Sequence, residues 1–359
     1  MWPDRRLLDL FKIETPIVQA PMAGVQDADI VIGACEGGAL GSLPCAMISV
    51  EKAREQVQII RQRVSAPINL NFFVHKPVDP NPTQESVWKK RLAAYYREYG
   101  IDPAAPIVAA NRAPFDGAAC ELVEELKPEV VSFHFGLPDK AYMKRVKAAG
   151  CVVISSATIV REAQWLEDNG ADAIIAQGSE AGGHRGMFLT ESVGSQIGTF
   201  ALVPQVVDAV RVPVIAAGGI ADGRGIAAAL MLGAAGVQIG SAYLRCPESK
   251  VSAVGRVALN DAAYDSTVIT NVMTGRPARG IVNRLMHEVG PLSGDAPTFP
   301  HAATALGPLK AAAEKAGKAD FTNLWSGQAQ PIGREMPAAD LTRTLAAAGL
   351  HRIKQMAAV

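Results

Sequence analysis

The sequence predicts an α/β fold: a (β/α)8 TIM barrel with an insertion after the third strand and a smaller, mostly helical lobe after the barrel. Short, β-branched apolar runs alternate with amphipathic helical stretches between residues 15 and 244. Near-continuous apolar strands separated by helices indicate a parallel sheet that is buried on both faces. The chain contains eight such runs, and this number favours a closed barrel over an open doubly wound sheet.

The eight predicted strands follow one another with helical patterns between most of them. In chain order the strands are TPIVQAP (15–21), GALGSLP (38–44), APINLNFFV (66–74), PEVVSFHFG (128–136), CVVISSA (151–157), ADAIIAQG (171–178), VPVIAAGG (212–219) and AGVQIGSAYL (235–244). The clearest helical patterns are SVEKAREQVQIIRQRV (49–64), DKAYMKRVKAAG (139–150), IVREAQWLEDNG (159–170) and GRGIAAALMLG (223–233). Gly150, Gly170 and Gly233 close three of these helices, as a left-handed C-cap requires.

The chain divides into three predicted parts. Residues 1–246 form the barrel, and within them residues 75–106 are an insertion that begins Pro-rich and continues helical and aromatic. Residues 247–325 mix helical patterns with Gly/Pro-rich loops and are predicted to form the smaller helical lobe on the substrate side. Residues 326–359 end in an N-capped amphipathic helix, which we expect to pack back on the barrel.

Composition excludes several classes of function. Lys+Arg and Asp+Glu are equal at 35 each, so charge gives no reason to expect nucleic acid or an anionic membrane as a partner. The five cysteines show no CxxC spacing and are interpreted as small buried hydrophobes in a reducing compartment. There is no signal-peptide pattern and no apolar run of ~18 residues, so we expect a cytoplasmic protein.

The carboxyl ends of the predicted strands are where a barrel of this type places its active residues. Here those ends carry small residues, amides and glycines, with one histidine: Pro21–Gly24, Asn69–Asn71, His134–Gly136, Ser155–Ser156, Gln177–Gly178, Gly218–Gly219 and Gln238–Ser241. The nearest carboxylate, Glu180, comes just past one strand end. A glycosidase or a hydrolase with metal on acidic residues needs paired carboxylates, so both classes are disfavoured.

Two glycine clusters near the end of the barrel are suited to binding phosphate. AAGGIADGRG (216–225) contains Gly218 and Gly219, and QIGSAYL begins with Gln238, Ile239, Gly240 and Ser241. The loops after strands seven and eight are the usual phosphate site of a barrel. The alternative is that these glycines only make tight turns. Neither cluster matches GxGxxG or GxxxxGK[ST].

The strand-end amides indicate what the phosphate belongs to. Asn71 and Gln177 can pair with the mixed donor and acceptor edge of a planar heterocycle. APMAG (20–24), with Met22, supplies an apolar backbone on which a ring can lie. Flavin mononucleotide (FMN) meets all three requirements, because it has one phosphate, a polar pyrimidine edge and an apolar ring. A phosphate-sugar isomerase on the same fold remains an alternative, although the carboxylate or lysine that it uses at a strand end is missing.

His184 is the main catalytic candidate, because it lies in the glycine-rich loop AQGSEAGGHRGMF (176–188). Near neutral pH it can act as a base or as a cation beside an anion. His134, in SFHFG, either contacts substrate or is a core histidine. Arg185 either binds an anionic group or pairs with a surface acid. The two histidines have no partner at metal-ligand spacing, so no metal is predicted.

Several of these motifs together resemble the nitronate monooxygenases, also called 2-nitropropane dioxygenases. The matching stretches are IVQAPMAG, NLNFFV, SFHFGLP, QGSEAGGHRG, IAAGGIADGRG, GVQIGSAYL, ARGIVNR and LWSGQ. The resemblance implies FMN on a TIM barrel, and oxidation of alkyl nitronates, with neutral nitroalkanes as a further substrate class. The implied products are a carbonyl compound and nitrite, with O2 as the co-substrate and transfer of one electron from the nitronate to the flavin. The implied role is detoxification of nitro compounds.

The resemblance also assigns residues. FMN contacts fall on Met22, Asn71, Gln177, Gly182, Gly219, Gln238, Ile239, Gly240 and Ser241, to which the loop glycines add Gly183 and Gly218. The catalytic histidine falls on His184, and His134 and His184 are the predicted substrate contacts. The candidate assembly is a homodimer. The main alternative is an NAD(P)H-dependent flavin reductase of the same fold, either an enoyl-acyl-carrier-protein reductase or a quinone reductase. A non-catalytic flavin-binding barrel is a further alternative.

Overall fold

The computed structural model describes residues 1–102, 112–261 and 266–358. Residues 103–106 of the predicted insertion, residues 262–265 of the predicted lobe and the terminal Val359 lie outside the described residues. Within the described ranges, the chain forms a parallel barrel, a small antiparallel sheet and surrounding helices.

The strands are β1 Ile17–Gln19, β2 Gly41–Pro44, β3 Ile68–Phe73, β4 Val130–His134, β5 Val152–Ala157, β6 Ala173–Gln177, β7 Gly183–His184, β8 Val214–Ala217, β9 Gly236–Ile239, β10 Thr267–Thr270 and β11 Ala278–Ile281. The helices are α1 Arg6–Phe11, α2 Ala28–Glu36, α3 Val50–Arg63, α4 Pro82–Glu98, α5 Gly117–Leu126, α6 Lys140–Ala148, α7 Val160–Asp168, α8 Thr199–Ala209, α9 Gly223–Met231, α10 Ala253–Asp261, α11 Arg284–Val289, α12 Ala302–Lys315 and α13 Ala338–Ala357.

The large sheet has eight parallel strands in the order β1-β9-β8-β6-β5-β4-β3-β2. Its two edges meet, because Val18 of β1 bridges to Leu40 just before β2. Backbone hydrogen bonds at this seam run from Gln19 N to Leu40 O at 2.9 Å and from Leu40 N to Ile17 O at 3.0 Å. Each predicted strand run contains one strand of this sheet, so the predicted (β/α)8 barrel is confirmed.

Apolar side chains pack on both faces of the barrel sheet. One cluster contains buried residues from successive strands, including Val18, Val130, Ile154, Ile175 and Ile215. A second, larger cluster packs the other face of the sheet against the surrounding helices. Burial on both faces explains why these strands are apolar runs without the alternation typical of a half-exposed sheet.

Short polar side chains start most of the barrel helices. Backbone N–H groups of the first turn donate to the side chains of Asp27, Ser49, Asp116, Asp139 and Asp222. Helix α8 begins after a glycine and takes its cap from Glu180, whose two oxygens accept from Thr199 N at 2.9 and 2.8 Å. The one carboxylate that the sequence places near a strand end is therefore used to cap a helix.

The insertion after β3 packs on the lobe that follows the barrel. In α4, Trp88 Nε1 donates to Ala302 O at 3.1 Å and the Tyr96 hydroxyl donates to Ala305 O at 2.6 Å. Trp88 and Tyr96 share one apolar cluster with residues of α11 and α12. The lobe also contains β10 and β11, which form a three-stranded antiparallel sheet with β7. The sequence does not predict this sheet: it indicates helices and loops in the lobe and a loop at Gly183–His184.

The C-terminal helix α13 packs on α2 and α9. The expectation of an N-cap was wrong, because Pro337 offers no capping side chain and the Ala338 N–H donates instead to Glu248 Oε1 at 2.9 Å. Glycines permit the close approach of these helices. A Cβ added at Gly223 would lie 2.5 Å from the backbone carbon of Ala348.

We expect Gly223→Ala to lower the free energy of unfolding by ~1–3 kcal/mol, because the added methyl overlaps backbone that cannot move independently. The matched control is Gly307→Ala in α12, where nothing lies within 4 Å of the added Cβ. There the gain in helix propensity of up to ~1 kcal/mol should stabilise the protein. Urea unfolding measures both, and equal stability of the two variants would contradict the close packing of α13.

Candidate active site

A cavity of about 350 Å³ lies at the carboxyl ends of the barrel strands, and the lobe covers it. The predicted site residues that line it are Met22, Asn71, His134, Gln177, Gly182, Gly183, His184, Gly218, Gly219, Gln238, Gly240 and Ser241. Ile239 is the exception, since its side chain is 1% exposed and lies in the apolar cluster between the sheet and the helices. The lobe contributes further lining residues, among them Met273, Leu306 and Trp325.

His184 is presented to this cavity by the small sheet. It lies on β7, which pairs with Ala278 and Arg279 of β11. The preceding Gly183 has a φ of 74°, a left-handed conformation that glycine adopts readily. His184 Nε2 is 2.9 Å from Thr274 Oγ1, and the Phe299 and Trp325 rings pack at 5.4 and 5.5 Å between centroids.

The His184 imidazole is neutral near pH 7. Burial lowers its pKa well below the usual range, and the positive charge of Arg112 acts in the same direction. A neutral imidazole has one N–H donor and one lone pair. It can therefore accept a proton or donate a hydrogen bond, whereas the cationic role considered from the sequence is disfavoured.

The His184 backbone carbonyl is held from two sides. His134 Nε2 lies 3.1 Å from this oxygen, and Gln177 Nε2 donates to it at 3.0 Å. The same Gln177 side chain accepts from Gly186 N at 2.7 Å. Two strand-end side chains thus determine where the backbone of residues 184–186 lies.

His134 uses both of its ring nitrogens on the protein. A carbonyl oxygen only accepts, so Nε2 carries the proton and donates to His184 O, and Nδ1 accepts from the Ser156 hydroxyl at 3.1 Å. Burial lowers the pKa of His134 to about 4. Of the two roles considered from the sequence, this geometry favours the core histidine over substrate contact, and the histidine positions the His184 backbone.

Arg185 does not bind a carboxylate. It is fully buried, and its Nη1 and Nη2 each donate at 2.7 Å, to Gly178 O and Gln177 O respectively. Its Nε donates to Gln196 Oε1 at 2.9 Å. Both alternatives drawn from the sequence, an anionic ligand and a surface acid, are replaced by a structural role: the guanidinium ties the loop to the end of β6.

The ends of β8 and β9, where the sequence predicts a phosphate site, also line the cavity. Gly218 and Gly219 follow β8 with φ values of 113° and 72°, which disfavour any residue with a Cβ. A Cβ at Gly218 would also lie 2.9 Å from Ala181 N. Ser241 Oγ accepts from Gly327 N at 2.8 Å, which links this end to the chain after the lobe.

The cavity contains an unsatisfied polar atom that suits a planar ligand. Gln238 Oε1 is buried and has no hydrogen-bond partner within the described part of the chain. An unpaired buried acceptor costs ~1–3 kcal/mol, so a ligand N–H placed here would recover that energy. Asn71 is oriented by a hydrogen bond from its Nδ2 to Ser132 Oγ at 2.9 Å. These residues therefore fit the polar edge of a flavin.

Two site residues were missed by sequence reasoning. Thr274 contacts the His184 ring, and Arg112 lines the cavity beside it. Neither lies at a barrel strand end or in a glycine-rich motif, and Thr274 is 90 residues from His184 along the chain. No local pattern in the sequence marks them.

Residues 4–348 match the family profile described as Nitronate monooxygenase. The chain belongs to the nitronate monooxygenase family. It is 39% identical over 342 residues to the nitronate monooxygenase of Pseudomonas aeruginosa, a match that covers 95% of this chain and 97% of that protein. It is 40% identical over 343 residues to the nitronate monooxygenase of Paraburkholderia phytofirmans, covering 95% and 94%.

A solved structure agrees with this family assignment. The nitroalkane oxidase from Streptomyces ansochromogenes superposes with a TM-score of 0.88 at 36% sequence identity, covering 98% of this chain and 99% of that chain. As a member of the nitronate monooxygenase family, this chain is an oxidoreductase that oxidises nitronates. The family implies a flavin cofactor, a small-molecule substrate and oxygen.

No helix in the described residues is long and apolar enough to cross a membrane. No group of three or more His, Cys, Asp or Glu side chains in the same ranges is arranged to hold a metal ion.

We expect acid to destabilise this nitronate monooxygenase family member through His134 and His75. Burial is the main cause that lowers the pKa of each to about 4, against ~6.5 when unfolded. The unfolded chain then binds more protons between pH 6.5 and 4, so stability is full above 6.5 and falls as pH decreases. For each histidine, the free energy of unfolding should fall by ~2 kcal/mol when the pH is lowered from 7 to 5.

Urea unfolding of wild type and His75→Asn at both pH values measures this effect. His75→Asn should reduce the pH dependence by about the share of one histidine. The same pH dependence in both proteins would contradict the assignment.

Proposed function

We propose that the protein is an FMN-dependent enzyme that oxidises alkyl nitronates with O2 to a carbonyl compound and nitrite, and that it serves to detoxify nitro compounds. The observation that supports this most directly is the placement of a neutral, rigidly held His184 in the same cavity as the orphaned amide oxygen of Gln238. The cytoplasmic location and the homodimer stay predictions.

The residues divide the cavity into a cofactor side and a substrate side. We assign the FMN phosphate to the backbone at Gly218, Gly219, Gly240 and Ser241, the ends of β8 and β9. Asn71 and Gln238 would address the polar edge of the ring, and Met22 would lie along it. A bound flavin supplies the acceptor for the electron that the nitronate gives up. The Gln177 side chain already donates one Nε2 hydrogen to His184 O and accepts from Gly186 N. Only its second Nε2 hydrogen would be available to the flavin ring.

On the substrate side, His184 would face the reacting carbon and nitro group. Since its imidazole is neutral, it can remove the α-proton of a neutral nitroalkane through its lone pair. A preformed nitronate needs no proton removed, so its oxidation does not use this lone pair. The aromatic rings of Phe299 and Trp325 pack on the His184 imidazole, where they restrict its orientation and limit the access of water.

Aerobic nitrite release by the holoprotein tests this function. We expect nitrite from ethylnitronate without added NADH or NADPH, and we expect His184→Asn to retain FMN but lose most turnover of neutral nitroethane, since its general base is gone. Turnover of nitroethane by His184→Asn at the wild-type rate would contradict the base assignment. Rapid anaerobic bleaching of the flavin by NADH, without nitrite release, would favour the flavin-reductase alternative.

Thr274 should decide which nitrogen of His184 carries the proton. Its hydroxyl lies 2.9 Å from His184 Nε2 and 3.4 Å from Arg276 O. We infer that the Thr274 proton goes to the Arg276 carbonyl, which can only accept, and that the Thr274 oxygen accepts from His184 Nε2–H. That arrangement leaves Nδ1 of His184 as the lone pair for proton abstraction.

Thr274→Val should therefore lower kcat/KM for nitroethane by roughly tenfold or more and leave ethylnitronate oxidation nearly unchanged. Thr274→Ser, which keeps the hydroxyl, is the matched control and should behave like wild type. Steady-state nitrite release on both substrates measures the effect. An equal loss on the two substrates would show that Thr274 does not act through the base.

A further inference from the structure

We propose that Arg112 binds the planar, two-oxygen anionic head of the nitronate and thereby makes the site select the anion over the neutral nitroalkane. This inference rests on the proposed function, because it concerns the substrate of the same cavity. Arg112 lines the cavity that contains His184, yet no motif and no strand end in the sequence includes it.

Arg112 is a buried cation without an acidic partner in the part of the chain that the structure describes. It is 9% exposed, and its Nε has no hydrogen-bond partner within residues 1–102, 112–261 and 266–358. No ion pair joins it to a carboxylate of those residues. The adjoining residues 103–111, PAAPIVAAN, contain no Asp or Glu in their sequence.

Such a charge is costly unless something compensates it. Removal of a guanidinium from water has a penalty of several kcal/mol, which a counterion or hydrogen bonds normally offset. Among the described residues, the contact that compensates the charge is the face of the Phe299 ring, 5.6 Å from the guanidinium carbon, and a cation–π contact contributes only ~0.5–2 kcal/mol. Burial lowers the pKa of Arg112 to about 10, so it remains charged at neutral pH.

The position of Arg112 separates it from the proposed phosphate site. Phe115 N donates to Phe73 O at 2.7 Å, which anchors this segment at the carboxyl end of β3. In the strand order of the barrel, β3 and β8 lie four positions apart, on opposite sides. Arg112 therefore lies across the barrel from Gly218 and Gly219, on the side where the substrate would approach His184.

The charges at the cavity favour an anionic substrate. Glu180 lines it too, but both of its oxygens accept from Thr199 N. Lys310, the other lining cation, is 43% exposed and lies 4.0 Å from Glu314. Among the charged side chains that line the cavity, Arg112 is thus the buried one that remains to be paired. A nitronate presents two oxygens in one plane, the geometry that the guanidinium fork binds in a bidentate manner.

Kinetics on a matched substrate pair test the proposal. Ethylnitronate and nitroethane differ by one proton, and the only charge on the former is the nitronate itself. Arg112→Met in the holoprotein should lower kcat/KM for ethylnitronate by roughly 30- to 1,000-fold and for nitroethane by much less. Arg112→Lys should recover part of the loss. Arg54→Met, which removes an exposed arginine paired with Glu125, is the control for net charge and should match wild type.

Binding of sodium nitrite gives a second readout that needs no turnover. Nitrite is a planar two-oxygen anion, and its titration can be followed by the absorbance of the bound flavin or by calorimetry. We expect binding by wild type and by Arg54→Met, at least tenfold weaker binding by Arg112→Met, and intermediate binding by Arg112→Lys. The Arg112→Lys protein also provides the comparison if Arg112→Met does not fold.

The outcomes separate this proposal from the proposed function. Absence of nitrite release from ethylnitronate by wild type would overturn the function, and the nitrite titration would still decide the role of Arg112. Equal losses on ethylnitronate and nitroethane, or unchanged nitrite binding by Arg112→Met, would overturn the role of Arg112. A loss restricted to nitronates that also carry a carboxylate would overturn it as well, because the arginine would then bind the remote group.

Discussion

The backbone carbonyl of His184 is the point on which the site depends. His134 and Gln177 both donate to this one oxygen, at 3.1 and 3.0 Å, from the ends of β4 and β6. Arg185, the next residue, donates to the carbonyls of Gln177 and Gly178. A glycine-rich segment with little conformational preference is in this way held at one position relative to the barrel, and the His184 side chain is presented from it.

The second constraint on His184 comes from outside the barrel. Pairing of Gly183 and His184 with β11 joins the barrel to the lobe, and Thr274 of the lobe contacts the imidazole. The insertion after β3 supports the lobe through Trp88 and Tyr96. Three segments that are distant in the sequence therefore form one rigid support above the strand ends. The barrel side would bind the cofactor, and the lobe side would orient the catalytic ring.

Burial and charge together account for the chemistry that the cavity can support. Apolar and aromatic neighbours lower the pKa of His184 and His134, so both imidazoles are neutral and serve as directional hydrogen-bonding groups. Arg112 keeps its charge in the same cavity without an acidic partner among the described residues. A neutral base beside an unpaired cation suits a substrate whose reactive form is an anion.

The sequence by itself determined the eight strands, the helices between them, the glycine C-caps and the glycines and amides at the strand ends. These features depend on local periodicity and on the φ values that glycine permits, both of which can be read from neighbouring residues. It also singled out the glycine-rich loop of His184, which lines the cavity. Only the tertiary structure decided that Gly183–His184 is a strand, that both ring nitrogens of His134 are occupied, and that Arg185 is structural. The strand at Gly183–His184 and the contacts of Thr274 with His184 and of Arg112 with Phe299 join segments that are about 90 or more residues apart. These segments meet only when the lobe packs on the barrel, and no local pattern records such a meeting. The outcomes for His134 and Arg185 depend on which carbonyl oxygens lie beside them in the folded barrel.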